Sequence, residues 1–160
     1  MGWKFTFHHP IYSFMPSYHK RQTVGILSDI TNFMSVLYVE DDIDDYSFFV
    51  EVLEEIYPDV QCSNAVNGLE ALQMLEDQVV KPDVIVLDLN MPALDGKACL
   101  KAIKTDPRFS SIPVYIYTTG ANPLDATHCK QLGAADYLLK PNSTLAAKEI
   151  LQKIFQAAQA

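Results

Sequence analysis

The chain has 160 residues, of which 49% are hydrophobic and 20% charged, as in ordinary globular proteins. This length fits one domain with a sizeable core, and no apolar run approaches the roughly 18 residues of a transmembrane helix. The net charge of -8 argues against nucleic acid or an anionic membrane as a partner of a basic surface. Three isolated cysteines show no metal or disulfide spacing, which favours a cytoplasmic location.

Residues 1–33 differ from the rest of the chain. They hold three of the four histidines and several aromatic residues, and they show neither a helical nor a strand period. We expect this N-terminal extension to be a poorly ordered arm, or a segment upstream of the natural start at Met34. An aromatic arm that binds a partner is the alternative. Residues 34–160 form the predicted domain.

From Ser35 onwards, short apolar runs alternate with helical patterns. Five strands are predicted at residues 36–39, 60–64, 84–88, 114–117 and 137–139. Five helices are predicted from about residue 44 to before Pro58, from 68, from 96 to 103, from 123 to 133, and from 143 or 144 to the C-terminus. The inward face of the second helix is expected to hold Leu69, Leu72 and Leu75, and that of the fifth helix Leu145, Ile150, Ile154 and Phe155. The alternation predicts an α/β fold, a doubly wound parallel sheet with helices on both faces.

Polar side chains stand at the carboxyl end of four of these strands. Glu40 and Asp41 follow the first strand, and Asp88 ends the third. Thr118 follows the fourth strand, and Lys140 follows the fifth. Because the carboxyl ends of parallel strands share one edge of a sheet, where ligands bind in doubly wound folds, these side chains should converge.

Such a cluster has a chemical consequence. Neighbouring carboxylates repel one another, and a divalent cation relieves this repulsion. Mg²⁺ prefers oxygen ligands and is commonly held by one or two carboxylates together with phosphate oxygens. Lys140 adds a positive charge suited to a phosphate, and Thr118 adds a hydroxyl donor. We therefore expect Mg²⁺ as the cofactor and phosphoryl transfer to a carboxylate as the chemistry.

Four motifs in this order resemble the receiver domain of two-component response regulators. They read VLYVEDD, VIVLDLNMPALDG, PVYIYTTGA and GAADYLLKP, and together they extend over roughly 120 residues from Val36 to about Phe155. The resemblance implies the flavodoxin-like fold with five helices and strand order 2-1-3-4-5.

The resemblance also implies roles for the acidic cluster. Asp88 matches the phosphoacceptor and a metal ligand. Asp41 matches the direct metal ligand, Glu40 a ligand acting through water, and Asn90 the position whose backbone carbonyl binds the metal. Lys140 matches the lysine that binds phosphate.

Further positions match the parts of the family that switch and reset the domain. Thr118 matches the hydroxyl that contacts the phosphoryl group, and Tyr137 matches the aromatic switch residue. Asn90 and Gly120 occupy positions that tune dephosphorylation. The bond from Lys140 to Pro141 is expected to be a cis peptide.

The sequence therefore predicts a single-domain response regulator rather than an enzyme acting on other substrates. A sensor histidine kinase or a histidine phosphotransfer protein would donate the phosphoryl group to Asp88, and the face of the fourth helix, fifth strand and fifth helix would contact an effector protein that the sequence does not identify. Dimerisation through the fourth and fifth helices is left open. Two alternatives are an adaptor that works without phosphorylation and a haloacid-dehalogenase-type phosphohydrolase, which needs an Asp where Asn90 stands.

Overall fold

A computed structural model describes residues 34–77 and 79–158 of the chain. The predicted arm at residues 1–33 lies outside the described residues. Five strands and five helices alternate in the order β1 (Ser35–Val39), α1 (Ile43–Ile56), β2 (Gln61–Ala65), α2 (Gly68–Glu76), β3 (Val84–Leu87), α3 (Gly96–Thr105), β4 (Val114–Thr118), α4 (Pro123–Gln131), β5 (Asp136–Leu139) and α5 (Thr144–Ala158).

The strands form one parallel sheet in the order β2-β1-β3-β4-β5, which confirms the predicted fold. The three central strands are almost completely buried, whereas the edge strands β2 and β5 are partly exposed. An unbroken run such as VIVL in β3 is typical of a strand covered by helices on both faces.

Successive side chains of each strand enter two separate cores, because a strand alternates its side chains between the two faces of the sheet. Val36 and Tyr38 of β1 pack with residues of α1 and α5, including Phe49 and Phe155. The alternate residues of β1 pack on the other face with α2, α3 and α4. This second core includes Leu37, Val39, Leu75, Leu100, Ile103 and Cys129.

The predicted inward faces of the second and fifth helices are confirmed at Leu75, Ile154 and Phe155, which are buried, but not at the first leucine of each helix. Leu69 is 58% exposed and Leu145 is 70% exposed, so both expectations of an inward leucine were wrong. Ala71 and Ala147 are fully or almost fully buried instead. In the first turn of each helix an alanine thus faces the core, and the leucine two positions earlier points about 200° away.

Backbone hydrogen bonds keep the strands in register up to the edge where the polar residues stand. The Glu40 N–H donates to the Ala65 carbonyl at 2.9 Å, and the Asp88 N–H donates to the Val39 carbonyl at 3.1 Å. On the other side of the sheet, the Lys140 N–H donates to the Thr118 carbonyl at 2.9 Å. The main-chain positions of these polar residues are therefore set by the sheet and not by flexible loops.

The expected cis peptide between Lys140 and Pro141 was wrong. Over residues 34–77 and 79–158 the chain contains no cis peptide bond. The trans form of a peptide bond before proline is favoured by roughly 0.5–1 kcal/mol, and the residues between β5 and α5 make the turn with a trans bond.

Candidate functional site

Few polar side chains are buried in the described part of the chain, and they lie at one edge of the sheet. Glu40 is 1% exposed, Asp88 is 5% exposed and Thr118 is fully buried. Each one ends or directly follows one of the three central strands. Burying a carboxylate is costly unless partners compensate for the lost water, so the neighbours of these groups determine what the site can do.

Three carboxylates meet at this edge, as the strand ends predicted. One oxygen each of Glu40, Asp41 and Asp88 lie within 4.8 Å of one another. Asp41 is exposed, whereas the other two are buried, so the cluster opens to solvent on the Asp41 side. An all-oxygen donor set that is open to water fits a hard, partly hydrated divalent cation such as Mg²⁺.

Protein donors fix the Glu40 carboxylate in place. Its Oε2 accepts hydrogen bonds from the Tyr38 hydroxyl at 2.8 Å and from Lys140 Nζ at 2.6 Å, and its Oε1 accepts from the Asp42 N–H at 3.1 Å. Burial raises the pKa of Glu40, while the bonds from Lys140 and Tyr38 oppose this increase. Both carboxylate oxygens are therefore already engaged by the protein.

Lys140 supplies the positive charge of the site from the end of β5. Its Nζ lies 2.6 Å from Glu40 Oε2, 2.7 Å from Asp45 Oδ2 and 3.6 Å from Asp88 Oδ2. Burial alone would lower its pKa, but the hydrogen bonds to Asp45 and Glu40 and the charge of Asp88 outweigh burial and raise the pKa above its usual value. Lys140 is therefore a permanent cation at physiological pH.

Asp88 has one oxygen held by the backbone and one that faces Lys140. Its Oδ1 accepts from the Leu89 N–H at 2.7 Å. The following loop returns so closely that a Cβ at Gly96 would lie 2.2 Å from the Asp88 carbonyl oxygen, a contact no other residue tolerates. Gly96 thus lets α3 begin directly behind Asp88.

A second group of contacts links the end of β4 to β5. Thr118 Oγ1 accepts from Asn90 Nδ2 and from the Gly120 N–H, each at 3.3 Å. The half-buried Tyr137 donates its hydroxyl to the Gly120 carbonyl at 2.6 Å. The hydroxyl of Thr118 is therefore connected through the β4–α4 loop to the aromatic ring on β5.

The structure brings together all the predicted side chains of the site and adds Asp45, which the sequence analysis did not include. Asp45 lies in the first turn of α1, which begins just after the carboxyl end of β1. Its position at the start of the helix after that strand was the signal that could have placed Asp45 at the same edge of the sheet.

Comparison with known proteins identifies the class to which this arrangement belongs. The family model described as the response regulator receiver domain matches residues 36–155. The chain therefore belongs to the receiver domains of two-component response regulators, as the four motifs predicted.

Individual relatives agree with this assignment. The chemotaxis protein CheY-3 of Vibrio cholerae is 32% identical over 117 residues, which are 71% of this chain and 88% of that protein. The Mn(2+)-bound response regulator Rcp1 is 31% identical with a TM-score of 0.69, covering 76% of this chain and 91% of that one. The phosphorylated cyanobacterial phytochrome response regulator RcpA is 28% identical with a TM-score of 0.73, covering 80% and 95%.

Among the residues that the structure describes, no helix combines the length and apolar character needed to cross a membrane.

Proposed function

We propose that this receiver domain accepts a phosphoryl group on Asp88 in a reaction that requires Mg²⁺. The observation that carries the proposal is the position of Asp88. Its buried carboxylate lies 3.6 Å from Lys140 Nζ and within 4.8 Å of carboxylate oxygens of Glu40 and Asp41. A carboxylate nucleophile next to a cation site and a fixed ammonium is an arrangement suited to phosphoryl transfer.

In this reaction a carboxylate oxygen of Asp88 attacks the phosphorus atom, and the bond from phosphorus to the donor breaks. Mg²⁺ would be held by Asp41 and Asp88 directly, by Glu40 through water, and by the Asn90 carbonyl, and it would neutralise charge on the phosphoryl oxygens. Lys140 provides a second positive charge near the acceptor oxygen. The engaged oxygens of Glu40 support its indirect role.

The output proposed for this site is a change of surface. After phosphorylation the Thr118 hydroxyl would turn towards the phosphoryl oxygens, and Tyr137 would move into the space that it leaves. The hydrogen bond from the Tyr137 hydroxyl to the Gly120 carbonyl would then break. The exposed Leu139 on β5 and Leu124 on α4 lie on the face that would respond. A phosphoryl group that favours one of two existing conformations is sufficient to shift their populations.

The donor would be a sensor histidine kinase or a histidine phosphotransfer protein, and the effector a protein that recognises the face formed by α4, β5 and α5. A second copy of the chain is a further candidate for that face. We assign the protein to the cytoplasm, where free thiols such as those of Cys62, Cys99 and Cys129 persist. It would act on no substrate other than its own phosphoryl donor.

Gly120 and Asn90 would set the lifetime of the phosphoryl group. A Cβ at position 120 would lie 3.8 Å from Thr118 Oγ1 and 3.9 Å from Asn90 Nδ2, which are ordinary contacts. A side chain at this position would therefore fit and extend over the pocket, whereas glycine leaves that approach open to water. This accounts for the proposed influence of position 120 on dephosphorylation.

The test is intact-mass spectrometry after incubation with acetyl phosphate, with Mg²⁺ or with EDTA. The wild type should gain one phosphoryl group only with Mg²⁺, and Asp88→Asn should gain none. Asp83→Asn is a matched control, because Asp83 stands at the opposite end of the same strand and binds the Ser35 N–H. It should gain the phosphoryl group like the wild type.

Two results would contradict the proposal. A wild type that binds Mg²⁺ but gains no mass would favour the adaptor that works without phosphorylation. Continuous turnover of small phosphate esters would favour the phosphohydrolase, although the position of its second Asp holds Asn90, whose amide donates to Thr118.

A further inference from the structure

Asp45 contacts the site from the first turn of α1. Its Oδ2 accepts a hydrogen bond from Lys140 Nζ at 2.7 Å, although its side chain is 45% exposed. The Asp45 N–H donates to Asp42 Oδ1 as part of the helix cap, which fixes the main chain of this turn. The carboxylate of Asp45 is thus held at a defined place beside the lysine.

Geometry at Lys140 gives this contact a consequence. An ammonium group has three N–H donors. Glu40 on β1 takes one and Asp45 on α1 takes another, both through short charge-assisted bonds. One N–H is left, and Asp88 Oδ2 at 3.6 Å is the remaining carboxylate partner of Lys140 among the described residues.

We propose that Asp45 is a positioning residue for phosphoryl transfer, which holds Lys140 so that its third N–H is directed to the acceptor oxygen of Asp88. With Glu40 as its sole acceptor, the ammonium could rotate about its one hydrogen bond to Oε2. Asp45 is a second, independently placed acceptor, and its hydrogen bond prevents this rotation of the ammonium. This inference rests on the proposed function of Asp88 and extends it to a residue outside the carboxylate cluster.

The surroundings of Lys140 support the need for a second acceptor. A narrow cleft of about 30 Å³ beside it is lined by Tyr38, Phe48 and Tyr117 as well as by Asp45. The aromatic walls restrict the aliphatic part of the lysine side chain. The Tyr38 hydroxyl donates its hydrogen bond to Glu40 and so does not orient the ammonium. The direction of the ammonium is therefore set by carboxylates, and Asp45 is the one that neither belongs to the cation cluster nor accepts the phosphoryl group.

One arm of the test needs no phosphoryl group. NMR of the ¹⁵N-labelled lysine ammonium groups, with the Lys140 signal assigned by its loss in Lys140→Met, reports how ordered Nζ is. Asp45→Ala should lower the order parameter of Lys140. Asp45→Asn, which keeps a carbonyl oxygen acceptor, should restore most of it. Asp44→Ala is the control on the same exposed turn and should leave the signal unchanged, since Asp44 accepts no hydrogen bond from Lys140.

The other arm measures phosphoryl uptake from acetyl phosphate at saturating Mg²⁺. Asp45→Ala should slow uptake about tenfold, the scale of losing one orienting contact, and Asp45→Asn should recover most of the rate. In the Lys140→Met background, Asp45→Ala should change nothing further. A double-mutant cycle of this kind isolates an effect that acts through the lysine.

The outcomes separate the two claims. A wild type that takes up no phosphoryl group overturns the function of Asp88 and this inference with it. If the wild type takes up a phosphoryl group and Asp45→Ala takes it up equally fast, only the role of Asp45 is overturned. The role of Asp45 is also overturned if Asp45→Ala slows uptake by the same factor in the wild type and in Lys140→Met, because Asp45 would then act independently of the lysine.

Discussion

The two ends of the central sheet carry many charged residues, but they use them differently. At the amino end, a cavity of about 470 Å³ lies between the loops that precede β3 and β4. Its lining combines apolar side chains with four charged residues, Glu76, Lys81, Asp83 and Arg108. At the carboxyl end, only a cleft of about 30 Å³ lies beside Lys140, yet this is the end with the buried carboxylates.

At the amino end, the exposed Arg108 is paired with carboxylates. Arg108 binds both oxygens of Asp106 and lies 3.7 Å from Glu76. It also lies over the ring of Phe109 at 4.7 Å. Hydrogen bonds from Arg108 lower the pKa of Asp106. Exposed pairs of this kind contribute little to stability.

The carboxyl end has an excess of one sign. Lys140 Nζ contacts the carboxylates of Glu40, Asp45 and Asp88, and Asp41 adds a fourth carboxylate within 4.8 Å of Glu40 and Asp88. Two of these carboxylates are buried. The excess negative charge is unfavourable, and a divalent cation would relieve it. Unbalanced charge, and not cavity volume, therefore distinguishes the end of the sheet to which we assign phosphoryl transfer.

The largest difference between the two ends is expected from removing a cation. Lys140→Met leaves the buried Glu40 without its ionic partner and should lower the free energy of unfolding by about 3 kcal/mol. Arg108→Met is the matched variant at the amino end, and it should have little effect because the pair is exposed. Urea denaturation at neutral pH measures both. Equal losses would show that the two ends do not differ in this respect.

Removing a carboxylate should change the free energy of unfolding in opposite directions at the two ends of the sheet. Asp41→Asn relieves repulsion between carboxylate oxygens within 4.8 Å and should stabilise the metal-free protein by about 1 kcal/mol. The same variant should bind Mg²⁺ about tenfold more weakly or worse. Thermal unfolding with and without Mg²⁺ should therefore reverse the order of stability, since the ion stabilises the wild type more. An unchanged order would contradict the assignment of Asp41.

The smallest effect concerns pH at the amino end. Because Arg108 lowers the pKa of Asp106, this carboxylate contributes stability above its ordinary pKa of about 3.9 and loses it as the pH falls through the lowered value. Asp106→Asn should therefore be slightly less stable than the wild type at pH 7, and the difference should vanish in acid. Unfolding measured from pH 7 to pH 2 checks this, and a difference that grows in acid would refute it.

The sequence predicted the fold because its signals were local and consistent. VIVL marked a buried strand, and Asp88 at its end could be placed on the carboxyl edge without knowing any distance. Gly133 was expected to end the fourth helix, and it has the positive φ of 99° that favours glycine at that place. Strand order followed from a family resemblance, since alternation alone does not determine which strands are neighbours.

The remaining features depend on packing between distant segments. In the first turn of α5 the buried residue is Ala147 and not the larger Leu145, although Ile154 and Phe155 lie inward as predicted. The contact between Asp45 and Lys140 joins residues 95 positions apart and depends on the rotamers of both side chains. The bond before Pro141 is trans, and the motif around it does not determine the isomer, because the intrinsic preference before proline is only about 0.5–1 kcal/mol.

The most direct test of the account is to locate the modified residue. After phosphorylation by acetyl phosphate with Mg²⁺, borohydride reduces an aspartyl phosphate to homoserine, and peptide mass spectrometry then shows its position. The account predicts homoserine at residue 88 and at no other aspartate, with none formed when Mg²⁺ is removed. Reduction at Asp41 or Asp45, or an unmodified Asp88 in protein that has gained a phosphoryl group, would contradict it.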